Sequence, residues 1–261
     1  MLSGDQIQQF QSDGFVIVPN LLDENETDLL AQIARQDKEL ASLRTSRTDG
    51  EGGAVDLVVQ NELPEDSIYG AIVRDERVVS AMEMLLGGEV YHYHHKMILK
   101  EAKSGGAWAW HQDYGYWYHN GCLFPLMASC MIAVDRATKE NGCLQVLRGS
   151  HHIGRVDHGK VGQQTGADEE RVEAATRVCE RVYVELEPGS AVMFHCNTLH
   201  RSDQNTSDDP RWAFICCYNA ARNDPYKESK HPSYTPLAKW PRERIVEVGR
   251  EQLQRFAVAD Q

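Results

Sequence analysis

From Tyr91 to Leu99 the chain has the sequence YHYHHKMIL, whose aromatic and apolar residues are typical of a β-strand. The pattern changes at this stretch, because helix signals dominate the residues before it. Turn pairs such as Asn141-Gly142 and Pro188-Gly189 separate the strand candidates that follow. These candidates are residues 126–135, 143–147, 182–186, 191–194 and 211–218. The pattern predicts a mostly β fold with flanking helices, built on an eight-stranded jelly roll (a cupin-like double-stranded β-helix) with helices packed on one face.

Helix signals frame this predicted core at both ends of the chain. Ser3 and Asp23 are candidate N-caps, and Gly14 ends the first helix. The predicted helices are residues 3–11, 23–40, 68–86 and 241–256, and residues 15–19 form a short strand. We expect a single domain over residues 1–261, with a helical N-terminal part (about 1–89), a jelly-roll core (about 90–220) and a C-terminal helix (about 240–258).

The composition limits the partners of this protein. Acidic residues outnumber basic ones by 39 to 27, and no basic stripe is present for a nucleic acid or an anionic membrane. The sequence contains no apolar run long enough to cross a bilayer and no export signal. The seven cysteines lack a Cys-x-x-Cys pair, which favours reduced thiols. We therefore expect a cytoplasmic monomer or homodimer that acts on a small molecule, with no nucleic-acid or membrane partner.

The segment Trp110-His111-Gln112-Asp113 carries the clearest chemical signal. An imidazole and a carboxylate two residues apart project from the same side of an extended strand. His200 lies 89 positions further along the chain and offers a second imidazole. Two histidines and one carboxylate on one face of a metal suit a non-haem Fe(II) oxygenase. Arg211 follows His200, and its guanidinium could hold the carboxylate of a co-substrate.

Further motifs extend this pattern over most of the chain. They are Asp13–Pro19 (DGFVIVP), Ala137–Leu144 (ATKENGCL), Arg148–His151 (RGSH), Pro188–Ala191 (PGSA) and His200–Ser202 with Asn205. Together with His111-Gln112-Asp113, they resemble the phytanoyl-CoA dioxygenase-like family of Fe(II)/2-oxoglutarate-dependent oxygenases. The resemblance implies an enzyme that uses Fe(II), 2-oxoglutarate and O2, hydroxylates its substrate, and releases succinate and CO2.

The resemblance also implies roles for individual residues. His111, Asp113 and His200 would be the iron ligands and thus the catalytic centre. Arg211 would form a salt bridge with the distal carboxylate of 2-oxoglutarate, and the Ser202 hydroxyl would add a donor. The carboxylate of Asp113 favours hydroxylation, because related halogenases replace it with a small residue. Further candidates for contact with the co-substrate are Lys96, His94 and Trp108.

The three histidines at positions 92, 94 and 95 are a rival metal site. Strand alternation places His92, His94 and Lys96 on one face and His95 on the other. No carboxylate follows at a ligand spacing, which argues against a dedicated second site. His94 and Lys96 are therefore either ordinary wall residues of the barrel or contacts of 2-oxoglutarate.

Three aromatic residues just after Asp113, namely Tyr114, Tyr116 and Trp117, are candidate substrate contacts. They either pack inside the barrel or line the substrate entrance, where their faces could hold a cation. Trp117 is similar to a tryptophan of ectoine hydroxylases in this family, although the flanking residues depart from their signature. We expect a small polar metabolite, such as an amino-acid derivative, a zwitterion or a phosphonate. An acyl-CoA is less expected, since no basic cluster is present for its phosphates.

Two other functions remain compatible with such a scaffold. One is a catalytically silent jelly-roll metabolite binder or sensor, and the other is a cupin-like metalloenzyme that does not use 2-oxoglutarate. The complete set of predicted ligands argues against the first, and Arg211 with Ser202 argues against the second. Residues 157–176 are polar and contain glycine, and we expect them to form a loop that acts as a lid.

Overall fold

Two antiparallel β-sheets face each other in the computed structural model, which describes residues 1–49 and 52–259. The larger sheet contains β1 (Phe15–Val18), β2 (Thr45–Thr48), β3 (Ala54–Gln60), β4 (Val90–Lys100), β6 (Met127–Ala133), β11 (Ala191–His195) and β13 (Arg211–Ala220). The smaller sheet contains β5 (Trp108–His111), β7 (Leu144–Leu147), β10 (Arg181–Val184) and β12 (His200–Ser202). A separate hairpin contains β8 (His158–Val161) and β9 (Gln164–Ala167).

The predicted jelly roll is confirmed. Strands β11, β6, β13 and β4 lie in this order in the larger sheet, and β10, β7, β12 and β5 form the smaller one. Strand β1 extends one edge of the larger sheet, and β3 and β2 extend the other. The part before residue 90 thus supplies three strands, of which the sequence predicted only β1. The edge strand β2 was missed because it is polar and fully exposed, so it has no apolar alternation.

Helices cover the outer face of the larger sheet, as predicted. They are α1 (Gly4–Asp13), α2 (Glu24–Gln36), α3 (Lys38–Ser42), α4 (Ile68–Arg74), α5 (Glu76–Leu86) and α8 (Glu243–Ala259). Two capping boxes begin the first two: Ser3 pairs with Gln6, and Asp23 with Glu26. One apolar cluster lies between these helices and the larger sheet. A second cluster, which includes Phe15, Val146 and Ile215, fills the space between the two sheets.

The predicted helix at residues 68–86 is two helices, α4 and α5, separated at Asp75. The Asp75 carboxylate accepts a hydrogen bond from the Arg77 amide at 2.7 Å and so caps α5. On either side of Asp75, the Arg74 carbonyl and the Glu76 amide bond to the backbone of Trp240. The helix therefore breaks where the distant chain before α8 pairs with it, and sequence spacing does not reveal that contact.

Residues 157–176 do not form the predicted loop. They contain the β8–β9 hairpin and most of α7 (Glu169–Val178). The Gln164 side chain fixes the hairpin on β5, because it accepts from the Ala109 amide at 3.0 Å and donates to the Ala107 carbonyl at 2.7 Å. A lid function of this segment stays a prediction. Within residues 1–49 and 52–259, no helix combines the length and apolar content needed to cross a membrane.

Candidate active site

His111 and His200 face each other across the β5–β12 pair. Their ring centroids are 4.0 Å apart. In each ring Nδ1 lies 2.8 Å from a backbone carbonyl two residues earlier, that of Ala109 or Thr198. Because a carbonyl can only accept, Nδ1 carries the proton and Nε2 keeps a free lone pair. Both imidazoles are therefore oriented as metal ligands.

Asp113 reaches the two histidines by a turn of the chain and not by strand alternation, so that part of the prediction is wrong. Strand β5 ends at His111, and Asp113 has helical dihedral angles (φ −57°, ψ −39°) at the start of α6 (Tyr114–Trp117). Its Oδ1 accepts from the Tyr116 hydroxyl at 2.6 Å, and its Oδ2 accepts from Ser129 at 3.0 Å. The Lys96 ammonium lies 3.9 Å from Oδ1. These contacts fix the carboxylate beside the imidazoles.

The side chain of Gln112 stabilises this turn, a role that the sequence did not indicate. Its amide donates to the carbonyls of Gly154 and Asn197, both at 2.7 Å. Its Oε1 accepts from the Val156 amide, also at 2.7 Å. Gln112 is completely buried, and it ties the turn between His111 and Asp113 to two loops from distant parts of the chain.

His111, Asp113 and His200 form a buried cluster whose ligand atoms all lie within 4.8 Å of one another. Among the described residues, no other group of histidine, cysteine or carboxylate side chains meets this criterion, so His92, His94 and His95 do not form the rival site. Burial lowers the pKa of both imidazoles and keeps them neutral. Burial opposes ionisation of Asp113, but the nearby Lys96 ammonium and the hydrogen bond from Tyr116 outweigh it and lower the pKa of the carboxyl. Two neutral nitrogens and one carboxylate oxygen suit Fe(II).

Strand β4 contains a bulge, and because of it the predicted face of His92 is wrong. In the pairing with β13, Cys217 lies opposite His94 and Tyr218 lies opposite His92, so Tyr93 has no partner. The extra residue moves His92 to the side of His95, where His92 Nε2 lies 3.1 Å from His95 Nδ1. His94 and Lys96 remain on the inner side and line the cavity above the metal-ligand cluster.

The cavity beside the three ligands has a volume of about 300 Å³. Among the predicted contact residues, those that line it are His94, Lys96, Trp108, Tyr116, Trp117, Ser202 and Arg211. Tyr114 does not. Its hydroxyl points away from the cavity and donates to the carbonyls of Cys122 at 2.9 Å and Leu123 at 2.6 Å. Tyr114 therefore packs and fixes a loop, and the structure does not bring it to the cavity with the other candidate contacts.

Arg211 is buried at one end of the cavity, with only 3% of its surface exposed. One guanidinium nitrogen donates to the Gly142 carbonyl at 2.6 Å. Its Nε is buried and has no hydrogen-bond partner among the residues that the structure describes. Burial lowers the pKa of Arg211 to about 10, so the group stays protonated at neutral pH. A buried cation with a free donor fits a carboxylate ligand.

Lys100 is a second buried basic residue near Arg211, and sequence reasoning missed it. Its ammonium donates to Ser202 Oγ at 2.9 Å and to the carbonyl of Asp203. Lys100 lies directly opposite Arg211 in the β4–β13 pair. Because Lys100 donates to the Ser202 oxygen, the Ser202 hydroxyl proton is free to point to another acceptor. The lysine thus orients the predicted co-substrate donor.

Comparisons with known proteins agree with this site. A family model described as phytanoyl-CoA dioxygenase (PhyH) matches residues 10–213. The L-proline trans-4-hydroxylase of Streptomyces griseoviridis is 30% identical over 249 residues, which cover 88% of this chain and 89% of that protein. The ectoine dioxygenase of Bordetella parapertussis is 30% identical over 237 residues, which cover 85% and 77%. The chain belongs to the phytanoyl-CoA dioxygenase family.

Solved structures show the same fold. The structure of EctD from S. alaskensis with 2-oxoglutarate and 5-hydroxyectoine aligns with a TM-score of 0.76 and 22% identity, covering 92% of this chain and 88% of that one. The carbocyclase SnoK from nogalamycin biosynthesis aligns with a TM-score of 0.68 and 22% identity, covering 90% and 97%. With the family, two predictions are confirmed: the enzyme class, a non-haem iron dioxygenase, and its use of Fe(II), 2-oxoglutarate and O2.

Proposed function

We propose that this protein hydroxylates a small polar metabolite, with iron held by His111, Asp113 and His200. The buried cluster of these three side chains carries the proposal, because its donor set and orientation fit Fe(II). The relatives named above are a proline hydroxylase and an ectoine dioxygenase, whose substrates are small metabolites. Hydroxylation also agrees with the presence of a carboxylate at position 113.

Arg211 and Ser202 would bind the distal carboxylate of 2-oxoglutarate. The Arg211 guanidinium retains a buried donor without a protein partner, and Ser202 retains its hydroxyl proton. Both line the cavity that also contains the imidazoles of His111 and His200. A dicarboxylate could therefore reach from this end of the cavity to the metal. Trp108 and Leu144 lie on the same cavity wall and would exclude water from the bound co-substrate.

When bound, iron and 2-oxoglutarate supply the oxygen chemistry, and the protein supplies ligation, orientation and shielding. The carbonyls of Ala109 and Thr198 hold the imidazole protons on Nδ1, so that Nε2 remains available. Tyr116 and Ser129 donate to the Asp113 carboxylate and fix its rotation. Asp113 and His200 are only 1% and 5% exposed, so little water reaches the site.

The size of the cavity supports a small substrate. A volume of about 300 Å³ is at the lower end of the range for small-molecule sites and must hold the co-substrate as well. A long acyl-CoA would not fit inside it. A small zwitterion or amino-acid derivative would occupy the remaining space.

Succinate formation and iron content test the proposal together. The Asp113→Ala variant loses the charged ligand, and we expect it to lose bound iron and to form succinate only at the background rate. The matched control is Asp209→Ala, which removes an exposed carboxylate outside the cavity. Intact turnover in Asp113→Ala would contradict the ligand assignment. A screen that starts with L-proline and ectoine, read out as stimulated 2-oxoglutarate consumption, would then identify the substrate class.

A further inference from the structure

The cavity has a second end, on the far side of the candidate iron site from Arg211. The order along β4 defines it: Lys100 pairs with Arg211, Lys96 approaches Asp113, and His94 comes next on the inner side. His94 and Lys100 are six positions apart along the strand, so the distance between their backbone positions is about 20 Å. If 2-oxoglutarate lies between Arg211 and the metal, the end beyond Lys96 is left for the substrate.

Three buried nitrogen atoms at this second end have no hydrogen-bond partner among the described residues. They are Trp117 Nε1, His94 Nδ1 and His231 Nδ1. The His94 ring contacts both of the others, since its centroid is 5.5 Å from that of Trp117 and 5.3 Å from that of His231. All three residues line the cavity, and Trp117 is completely buried. A buried polar atom without a partner is unfavourable, so such a cluster indicates a place where a ligand can bind.

The chemistry of this cluster favours a hydrogen-bond acceptor. An indole nitrogen can only donate. Burial lowers the pKa of His94 and His231, and the nearby Lys96 ammonium lowers both further, so the imidazoles are neutral and each has one N–H. The cluster therefore offers one fixed donor, the indole N–H of Trp117, and two neutral imidazoles beside one cation.

The charges around the cavity also favour an anion. Its lining includes Arg47, Lys96, Arg201 and Arg211, and among residues 1–49 and 52–259 no aspartate or glutamate contributes to it. Arg201 is paired with Asp203, and Lys96 faces Asp113. Arg47 forms no ion pair within the part of the chain that the structure describes. A substrate with only a positive charge would be repelled, which argues against the sequence-based expectation that the aromatic faces hold a cation.

We propose that Trp117, His231 and Lys96 form a subsite for the carboxylate of an anionic or zwitterionic substrate. This inference rests on the proposed function and specifies its substrate class. His231 is a new candidate residue, contributed by the segment between β13 and α8. Its ring stacks on Tyr93, with centroids 4.6 Å apart and planes inclined by 19°. This stacking holds the imidazole at the edge of the cavity, and Trp117 packs edge-on against the same Tyr93 ring, with centroids 5.3 Å apart.

Fluorine NMR can observe the subsite directly. The protein is labelled with 5-fluorotryptophan, loaded with Zn(II) and 2-oxoglutarate, and titrated with acetate or with acetamide, which has the same shape without the charge. We expect acetate to shift the Trp117 resonance and acetamide to leave it nearly unchanged. Tetramethylammonium, the cationic probe, should also have no effect. The Trp117→Phe variant assigns the resonance. If it does not fold, replacing the other four tryptophans in turn assigns it by elimination.

The decisive variant is His231→Phe, which keeps the ring stacked on Tyr93 but removes the nitrogen atoms. We expect it to weaken acetate binding about tenfold, which corresponds to about 1.4 kcal/mol. Trp240→Phe, which alters a tryptophan outside the cavity lining, should bind acetate normally. The inference would be overturned if acetate leaves the Trp117 resonance unchanged, if acetamide or tetramethylammonium shifts it equally, or if His231→Phe binds acetate normally. Calorimetric binding of 2-oxoglutarate to the same samples tests the proposed function separately.

Discussion

Arg211 and Lys100 lie directly opposite each other in the β13–β4 pair, and both reach the carbonyl oxygen of Gly142. Two buried basic side chains that form no ion pair within residues 1–49 and 52–259 favour a bound anion. Burial and the neighbouring Arg211 both lower the pKa of Lys100. A carboxylate bound at Arg211 would relieve this repulsion, which gives the pairing of the two residues a role beside the cavity.

Replacing Lys100 should therefore weaken the binding of 2-oxoglutarate. In Lys100→Met, Ser202 loses the donor that orients its hydroxyl, and we expect the dissociation constant for 2-oxoglutarate to rise about tenfold. Iron binding should stay unchanged, because Lys100 does not contact the metal ligands. Calorimetry of the metal-loaded protein measures both quantities. Lys103→Met, which removes an exposed lysine paired with Asp208, is the control. Unchanged 2-oxoglutarate affinity in Lys100→Met would show that Ser202 needs no such support.

The hydroxyl of Tyr116 should matter for iron affinity. It donates to Asp113 Oδ1 at 2.6 Å, and loss of such a contact to a metal ligand typically costs about 10- to 100-fold in affinity. We expect Tyr116→Phe to show this loss in a competition assay with a chelator. The matched control is Tyr114→Phe, since that hydroxyl bonds only to backbone carbonyls outside the cavity. Equal iron affinities for the two variants would contradict the positioning role of Tyr116.

The metal-free protein should lose stability in mild acid. Burial lowers the pKa of His95 and His195 from 6.5 to about 4. Between these values the unfolded chain binds protons that the folded chain does not, so the free energy of unfolding falls as the pH falls. Urea denaturation at a series of pH values between about 7 and 4 measures the slope. His195→Gln should reduce it, whereas a stability that stays constant or rises toward acid would contradict this assignment.

The helix after Asp113 should tolerate no side chain at Gly115. A Cβ at this position would lie 2.1 Å from the ring of His158. The Nε2 atom of this ring accepts a hydrogen bond from the backbone amide of Gln112 at 2.9 Å. We expect Gly115→Ala to lower the free energy of unfolding by about 1–3 kcal/mol, because the hairpin must shift. Gly159→Ala lies next to His158, and its Cβ would meet nothing within 4 Å. Chemical denaturation of both variants compares them, and equal stabilities would count against this tight packing.

The sequence predicted the features that depend on local chemistry. Ser3 and Asp23 cap the first two helices because their side chains bond to amides three residues further on. The apolar runs at β6, β11 and β13 indicated buried strands. The candidate ligand set stands out in the sequence because His111, Asp113 and His200 occur in a family-like order, and the structure brings the three side chains together.

Features that depend on register or on distant contacts were not predictable. The bulge at Tyr93 changes the face of His92, and no turn residue or proline signals it. Lys100 meets Arg211 only because the 110 residues between them fold into the jelly roll. His231 lies in a segment without helix or strand patterns, and its place in the cavity results from stacking on Tyr93.

The central claim is that His111, Asp113 and His200 hold iron while Arg211 binds 2-oxoglutarate. Anaerobic titration of the metal-free protein with Fe(II) and then 2-oxoglutarate tests it most directly, through the visible charge-transfer band of the iron-bound co-substrate. We predict that the band appears in the native protein and is absent from Asp113→Ala. In Arg211→Ala it should appear only at much higher 2-oxoglutarate concentrations. A folded, iron-binding protein that shows no band would contradict this account.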